Sequence, residues 1–487
     1  MKRDIDPTSR PAADLIRKSD ASLTEQLAAR FAEPIRQHLL SAGARLPSVR
    51  ECARKHGVSA STVVAAYDQL LAQGLIEARK QRGFFVRDAR LSLSIAAKPR
   101  QGNAAPATQL PPPVSATALV RGMFQPPGSL PMPGLGSLPA DWLDLPLLNQ
   151  ALKRVSAGAQ LGALSLQYGE PAGDMRLRTA LAAQLDSLGV IAPPTQIITT
   201  LGALHALDLV TRCLLRAGDC VLVDEPGWPI EFARLSAMGL RVLPVPRGEA
   251  GPDLAVMQRH ITANAANPPR VYITVSVMHN PTGASLSLAA AHRVLELAKQ
   301  HNFVIVEDDT YAHLAPAHLP RLAALDALER TIYISGFSKI LAPNWRVGFM
   351  AAPPYLVDRL VDTKLLSNLT TPSLTEQAVA HCLESGLLRR HAERITLRLD
   401  AARARAVKLA QAHGCAFAAP PRGLFGWVDV GADTERLARA MSEDGWLLAP
   451  GALFYAARRA TRLMRINFAT TQEVRFWRAL SAARGGS

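Results

Sequence analysis

The chain has 487 residues and a formal net charge of +15, and this length excludes a single small domain and predicts two to four domains. Its five cysteines form no C-x-x-C pair, so neither a structural zinc site nor a disulfide framework is indicated, and a reducing cytoplasm is expected. The N-terminus has no secretion-signal pattern and no run of about 18 apolar residues occurs, so no membrane partner is expected.

Residues 20–90 form the first predicted domain and are rich in basic side chains. The first ninety residues hold 16 Lys and Arg against 10 Asp and Glu, a net of +6. A phosphate-binding module needs such an excess, although solvated arginines on helices would give the same balance. Two alternating segments, 75–79 and 84–87, flank the basic stretch 80–83, which predicts a hairpin whose tip suits phosphates or a minor groove.

A helix-turn-helix pattern precedes this hairpin. Ser48 and Glu51 match a capping box that predicts the start of one helix, and Gly57 predicts the tight turn after it. Ser59 or Ser61 is the expected cap of a second helix, whose first turn would meet base edges. Any short helical pair with a glycine turn gives a similar pattern, so the spacing alone leaves a structural explanation open.

The runs Arg45-Leu46-Pro47-Ser48-Val49-Arg50, Gly57-Val58-Ser59 and Gly83-Phe84-Phe85-Val86 closely resemble the GntR family of bacterial repressors. The resemblance implies a winged helix-turn-helix in which the wing tip lies on the DNA backbone. The predicted DNA-binding residues are Arg45, Ser48, Arg50, Ser59, Ser61, Thr62, Arg79, Lys80, Arg82 and Gly83. Ala60 and Val64 stand where the family often has basic residues, so an arginine-type guanine contact is not predicted there.

A linker and a larger domain follow. Residues 91–119 are rich in Ala, Pro, Ser and Gln without a sustained period, which predicts a linker. In residues 120–487, β-branched runs alternate with helical segments, which predicts an α/β fold: a parallel-rich sheet with helices on both faces and a smaller α+β lobe. Strands are predicted at 197–200, 221–223, 271–275, 303–306 and 332–334. Because ligands bind outside the carboxyl ends of such strands, the turns that follow them are expected to converge.

The residues in these turns suit one cofactor. Lys339 offers an amine that condenses with an aldehyde, and Asp308 offers a carboxylate that keeps a pyridine nitrogen protonated. Tyr311 and Asn280 can hydrogen-bond a ring oxygen, and Trp228 can stack on the ring. A helix N-terminus, two hydroxyls and a guanidinium would meet a dianionic phosphate, at Gly202, Ala203, Ser335, Ser338 and Arg346. The set predicts a pyridoxal 5'-phosphate pocket with Lys339 as the catalytic residue.

Each residue of the set also has an ordinary explanation. A turn lysine is commonly a surface amine, a strand-end Asp is commonly a helix cap, and a lone tryptophan is commonly a core residue. The order and spacing on successive strand ends favour the pocket. The set resembles fold type I pyridoxal phosphate enzymes, the aspartate aminotransferase superfamily, over roughly residues 120–485. This resemblance implies that Arg465 binds an α-carboxylate as a bidentate fork, and that Tyr168 reaches the cofactor phosphate of the neighbouring subunit.

The complete layout resembles the MocR regulators. The resemblance implies a homodimer that binds paired half-sites of a double-stranded DNA operator, with little or no physiological transaminase activity. The expected signal is pyridoxal phosphate itself, or an amine or amino acid effector that forms an aldimine at Lys339. Two alternatives stay open: an active aminotransferase with an accessory DNA-binding module, and a repressor built on a cofactor-free scaffold.

Overall fold

The computed structural model describes residues 22–36, 40, 43–79, 82–87, 116–122, 132–157, 160–442 and 444–485. Of the predicted linker, residues 91–115 lie outside these ranges, and so does Lys80. The chain divides into two compact units, one formed by residues 1–130 with Ala438–Leu447 and one formed by Pro131–Leu437 with Leu448–Ser487. Among the described residues, no helix combines the length and the apolar character that a bilayer span requires.

The first unit contains the predicted winged helix-turn-helix. Its elements are α1 (Leu23–Arg36), α2 (Val49–His56), α3 (Ala60–Ala72), β1 (Ile76–Arg79), β2 (Gly83–Val86) and α4 (Ala116–Gly122). Ser48 caps α2 by accepting from the Glu51 amide at 3.3 Å. Ser59 caps α3 by accepting from the Thr62 amide at 3.1 Å. Gly57 ends α2 with a φ of +63°, a conformation that favours glycine.

The core of this unit lies between the three helices and the hairpin. Tyr67 is fully buried, and its hydroxyl donates to the Pro47 carbonyl at 2.9 Å. Its ring meets Phe31 and Phe84 edge to face, with centroids 5.8 Å and 4.9 Å away. The strands β1 and β2 pair antiparallel. The helix pair and the hairpin predicted from sequence are therefore confirmed.

The second unit alternates helices and strands. Its helices are α5 (Leu145–Val155), α6 (Gln160–Leu166), α7 (Met175–Asp186), α8 (Ala203–Leu214), α9 (Pro229–Ala237), α10 (Leu254–Ala263), α11 (Leu288–His301), α12 (Leu322–Leu325), α13 (Pro354–Asn368), α14 (Ser373–Glu384), α15 (Leu387–Ala412) and α17 (Val474–Gly485); α16 (Thr434–Ser442) begins here and ends in the first unit. Its strands are β3 (Ile197–Thr200), β4 (Cys220–Glu225), β5 (Arg241–Pro246), β6 (Val271–Thr274), β7 (Val304–Asp308), β8 (Thr331–Gly336), β9 (Gly348–Ala351), β10 (Ala416–Phe417), β11 (Phe425–Asp429), β12 (Ala449–Pro450) and β13 (Leu463–Asn467).

The large sheet has the order β3-β9-β8-β7-β6-β4-β5. The pairs from β8 to β5 are parallel, whereas β9 runs antiparallel to both of its neighbours. The five predicted strands are present, and sequence patterns missed β5 and β9. Since β9 opposes both β3 and β8, those two strands point the same way. The carboxyl ends of β3, β4, β6, β7 and β8 therefore lie along one edge of the sheet.

The smaller sheet has the order β10-β11-β13-β12 and is antiparallel throughout. It belongs to the predicted α+β lobe. Its central strands β11 and β13 are almost wholly buried. Buried central strands hold their side chains in fixed orientations, so they can present a charged residue in a defined position.

Candidate functional site

Lys339 lies in the turn that follows β8. Its side chain is half-buried, and its Nζ donates to the carbonyl oxygen of Gly136 at 2.6 Å. Burial lowers the pKa of the Lys339 amine to about 8, and the positive charges of Arg465 and Arg346 act in the same direction while Asp308 opposes them. A larger share of this amine is therefore unprotonated, and nucleophilic, near neutral pH than is usual for lysine.

Asp308 is the last residue of β7. Burial raises the pKa of its carboxyl to about 6, hydrogen bonds from Thr310 oppose that shift, and Asp309 and Glu231 add to it. The Thr310 amide donates to Asp308 Oδ1 at 3.0 Å, and the Thr310 hydroxyl donates to the same oxygen. Glu231 was not predicted from the sequence; it is 3% exposed and binds Arg234 at 2.6 Å. A cation placed near Asp308 would favour the ionised form of its carboxyl.

Tyr311 and Asn280 lie together. The Tyr311 side chain hydrogen-bonds Asn280, and burial raises the pKa of the Tyr311 phenol. Its ring meets Phe425 edge to face with centroids 5.6 Å apart. Asn280 Oδ1 also accepts from Arg465 Nη1 at 3.1 Å. Five predicted residues therefore form one cluster, connected by hydrogen bonds and by electrostatic effects on one another's pKa values: Lys339, Asp308, Tyr311, Asn280 and Arg465.

Arg465 is a buried cation on β13, with 3% of its surface exposed. Its guanidinium lies over the rings of Phe425 and Phe454, at 4.4 Å and 5.4 Å from their centroids. Its hydrogen bonds within the described residues go to two neutral acceptors, Asn280 and the Gly134 carbonyl at 2.6 Å, and its buried Nε has no partner there. Burial lowers the pKa of Arg465 to about 10. A buried guanidinium whose acceptors among the described residues are neutral fits an anionic ligand.

A cradle of hydrogen-bond donors forms where β3, β8 and β9 approach the start of α8, at the residues that the sequence predicts to bind a phosphate group. A Cβ on Gly202, whose φ is +80°, would lie 2.6 Å from Arg346 Nη2. A Cβ on Gly348 would lie 2.6 Å from the Gly202 backbone. Arg346 donates to the Ser338 hydroxyl at 3.3 Å and to the Leu201 carbonyl at 2.8 Å. A helix N-terminus, a hydroxyl and a guanidinium therefore share one space, the donor set that a phosphate dianion requires.

The structure does not bring three predicted cofactor residues into these contacts. The Ser335 hydroxyl is buried in the sheet and donates to the Asp309 carbonyl at 2.8 Å. Trp228 is half-buried and packs against the hydrophobic core beside the large sheet. Tyr168 is 82% exposed. The roles predicted for these three side chains stay predictions.

The predicted DNA-binding residues occupy two places in the first unit. At the start of α3, the Ser59 hydroxyl hydrogen-bonds the hydroxyls of Ser61 and Thr62, each at 2.7 Å. At the wing, Arg79 binds Glu77 at 2.8 Å and lies 4.6 Å from the Phe85 ring centroid. The remaining described members of the set lie on the surface: Arg45, Ser48, Arg50, Arg82 and Gly83. Both places could meet DNA, because each combines exposed donors with a fixed backbone.

The sequence analysis missed one segment of the pocket, residues 132–137, which we term the strap. Its carbonyl groups accept from Lys339 and Arg465. Asn467, fully buried at the end of β13, donates to the Leu135 and Ser137 carbonyls at 3.0 Å and 2.8 Å. The glycine spacing Gly134-Leu135-Gly136 was the available signal, since glycines permit close backbone approach.

Two family descriptions match the chain: "Bacterial regulatory proteins, gntR family" over residues 23–86 and "Aminotransferase class I and II" over residues 138–482. The HTH-type transcriptional regulator YjiR of Escherichia coli K12 is 30% identical over 377 residues, 76% of this chain and 77% of YjiR. The probable rhizopine catabolism regulatory protein MocR of Rhizobium meliloti is 29% identical over 394 residues, 78% of this chain and 76% of MocR.

A solved structure is similar to a large part of the chain. It is LysN, an alpha-aminoadipate aminotransferase of Thermus thermophilus complexed with N-(5'-phosphopyridoxyl)-L-leucine. The TM-score is 0.66 at 27% identity, and the alignment covers 77% of this chain and 95% of LysN.

Proposed function

The chain belongs to the aminotransferase class I and II family, in the MocR-type arrangement with a GntR-type winged helix-turn-helix at its N-terminus, and from this membership we propose that it is a pyridoxal phosphate-dependent transcriptional regulator. The observation that carries the proposal is one cluster of Lys339, Asp308, Tyr311, Asn280 and Arg465 in a chain that also contains the winged helix-turn-helix. The two features have a common use if occupancy of the pocket controls DNA binding.

The residues of the pocket fit pyridoxal phosphate. Lys339 would supply the amine, and the carboxylate of Asp308 would keep the pyridine nitrogen protonated. Tyr311 and Asn280 would hydrogen-bond the ring oxygen, and the cradle formed by Gly202, Ala203, Ser338 and Arg346 would bind the phosphate. When bound, the cofactor supplies an aldehyde that captures amines and a ring that withdraws electrons. Trp228 and Ser335 remain proposed cofactor contacts, and Trp228 would have to offer a ring face while keeping its contact with the core.

Arg465 determines the class of effector in this proposal. Its buried guanidinium has neutral acceptors and an unpartnered Nε within the described residues. A carboxylate would give this cation a counter-ion and a bidentate pair of hydrogen bonds. We therefore propose an amino compound with a carboxylate, such as an amino acid, as the effector, with pyridoxal phosphate alone as the other possible signal.

We propose that the functional form is a homodimer on double-stranded DNA. Tyr168 is 82% exposed in one chain, which supports its proposed use at the cofactor phosphate of a second copy. The winged helix-turn-helix of residues 23–86 is termed the reader here, and two copies of it would bind two half-sites of one operator, as dimeric helix-turn-helix proteins do. A protein that binds the bacterial chromosome acts in the cytoplasm, so we place it there.

Absorbance and footprinting test the proposal together. Purified protein given pyridoxal phosphate should acquire the yellow absorbance of the lysine-bound cofactor. Lys339→Ala should not acquire it, whereas the surface variant Lys299→Ala should. Footprints on the gene's own upstream region should change when pyridoxal phosphate or candidate amino acids are added. A colourless protein, or one that protects no DNA fragment, would contradict the proposal. Steady amino-group turnover without an effect of the reader on transcription would favour the aminotransferase alternative.

A further inference from the structure

The strap blocks the two donor groups of the pocket that a ligand would use. Lys339 Nζ donates to Gly136 O at 2.6 Å, and Arg465 Nη2 donates to Gly134 O at 2.6 Å. The two accepting carbonyls are two residues apart on one short stretch of chain. A single displacement of the strap would therefore free both the amine and the guanidinium.

Asn467 holds the strap from the strand that carries Arg465. Its side-chain amide donates to Leu135 O and Ser137 O, and its backbone amide donates to Pro133 O at 2.9 Å. Three of the strap's carbonyl groups thus depend on one residue. Thr470 adds a fourth contact, because its hydroxyl donates to Met132 O at 3.0 Å.

Electrostatics favours an exchange of partners at Arg465. Its present acceptors are neutral, and one of them is the strap carbonyl at Gly134. A charge-assisted bidentate pair with a carboxylate is roughly twice as strong per hydrogen bond as a neutral one. Such a pair needs two adjacent N–H groups of the guanidinium, and Gly134 O occupies Nη2. A carboxylate that pairs with Nη2 therefore approaches the donor nitrogen that the Gly134 carbonyl already contacts, and the two negatively polarised oxygens repel each other there.

We propose that the strap is an internal competitor of the ligand carboxylate and that Asn467 is its positioning residue. The inference rests on the proposed function, because it requires a carboxylate ligand at Arg465.

Hydrogen exchange on the full-length protein tests the competition with two stable compounds. One is N-(5'-phosphopyridoxyl)-L-leucine, and the other is its counterpart made from 3-methylbutylamine, which lacks only the carboxylate. Neither contains an aldehyde, so Lys339 cannot capture either. We expect the amides of Leu135 and Asn467, which are now bonded to Met132 O and Pro133 O, to exchange roughly tenfold faster with the leucine compound alone. An equal effect of both compounds, or of neither, overturns the inference.

Two variants separate positioning from general damage. In the wild type, the Ala469 amide donates to Asn467 Oδ1 at 2.9 Å. Asn467→Ser keeps an oxygen that can accept from this amide, but its hydroxyl cannot donate to both strap carbonyls. Thr470→Val removes the contact with Met132. Either variant should bind the leucine compound several-fold more tightly relative to the amine compound, because the competitor is weakened. An unchanged ratio in a folded variant contradicts the role of the strap. Calorimetry measures both affinities first: a protein that binds neither compound refutes the proposed function as well.

Discussion

Lys339 shows how the pocket changes the chemistry of a single residue. Its pKa is lowered to about 8 from 10.5 by burial and by Arg465 and Arg346, against the opposing effect of Asp308. At pH 7, roughly one amine in ten would then be unprotonated, against fewer than one in a thousand at the ordinary value. Because only the neutral amine attacks an aldehyde, this shift favours cofactor capture near neutral pH.

The rate of cofactor capture should therefore depend on pH in a defined way. We expect the rate to rise about tenfold per pH unit below the Lys339 pKa and to flatten above about 8. Stopped-flow absorbance measures this rate. The control is the reaction with Nα-acetyl-lysine, whose ε-amine is unperturbed, because it shows the pH dependence that comes from the ionisable groups of the cofactor itself. Asp308→Asn should move the break to lower pH, because Asp308 raises the pKa of this amine. A rate that still climbs at pH 10 would contradict the shift.

The grouping of the candidate site residues could be predicted where it depends on residues at the ends of strands or in the turns that follow them. Lys339, Asp308 and Asn280 could be identified because each follows a short β-branched run. The sequence could not indicate that the Ser335 hydroxyl pairs with the Asp309 carbonyl, since this depends on the register of neighbouring strands. The contact between Lys339 and Gly136 joins residues 203 positions apart, and no local pattern reports such a pairing.

At the scale of elements, the cradle depends on close contact between β9 and the start of α8. A Cβ on Gly348 would lie 2.6 Å from the Gly202 backbone and 2.8 Å from the Ala203 nitrogen. Gly348→Ala should therefore push the helix N-terminus away, lower the free energy of unfolding by about 1–3 kcal/mol, and weaken binding of pyridoxal phosphate more than that of pyridoxal. Gly162→Ala is the control, because nothing lies within 4 Å of its Cβ position. Equal affinities for wild type and Gly348→Ala would exclude this role.

The short helix α12 starts on a buried carboxylate. Glu307 is fully buried and accepts the amides of Leu322 and Ala323, each at 2.8 Å. Burial raises the pKa of this carboxyl from 4.5 to about 7. The folded state then binds more protons than the unfolded state between these values, so this residue's contribution to stability is present below pH 4.5 and is lost as pH rises towards 7.

Replacement of Glu307 by glutamine should remove that dependence. The free energy of unfolding of Glu307→Gln, measured relative to wild type, should rise by on the order of 2–3 kcal/mol between pH 4.5 and 7.5. Urea unfolding at a series of pH values measures the difference. Glu296→Gln, at an exposed position of α11, should show no such trend. A constant difference between Glu307→Gln and wild type would mean that the pKa of Glu307 is the same in the folded and unfolded states.

At the scale of the whole molecule, large apolar side chains at the C-terminal ends of α6 and α13 are exposed. Leu366 is 92% exposed, Leu166 is 84% exposed and Tyr168 is 82% exposed. Gly169, which follows α6, lies close to the start of α14, because a Cβ added to Gly169 would lie 2.6 Å from the Ser373 hydroxyl. Large exposed apolar side chains that lie together mark protein interfaces, and we expect these three to contribute to one such surface. The proposed homodimer would cover it and would place Tyr168 against a second copy.

A charge at this surface should separate the two chains. Leu366→Asp would place a carboxylate in an apolar contact, so we expect the dimer to dissociate at protein concentrations at least about tenfold higher than wild type does. Sedimentation velocity measures this, and Leu397→Asp, at a 72% exposed position of α15, is the matched control. Because paired half-sites need two readers, Leu366→Asp should also lose affinity for a two-site fragment while keeping its affinity for a single half-site. If Leu366→Asp stays as dimeric as wild type, the interface lies on another surface. If the variant is monomeric but still binds the two-site fragment tightly, DNA recognition does not depend on dimer formation.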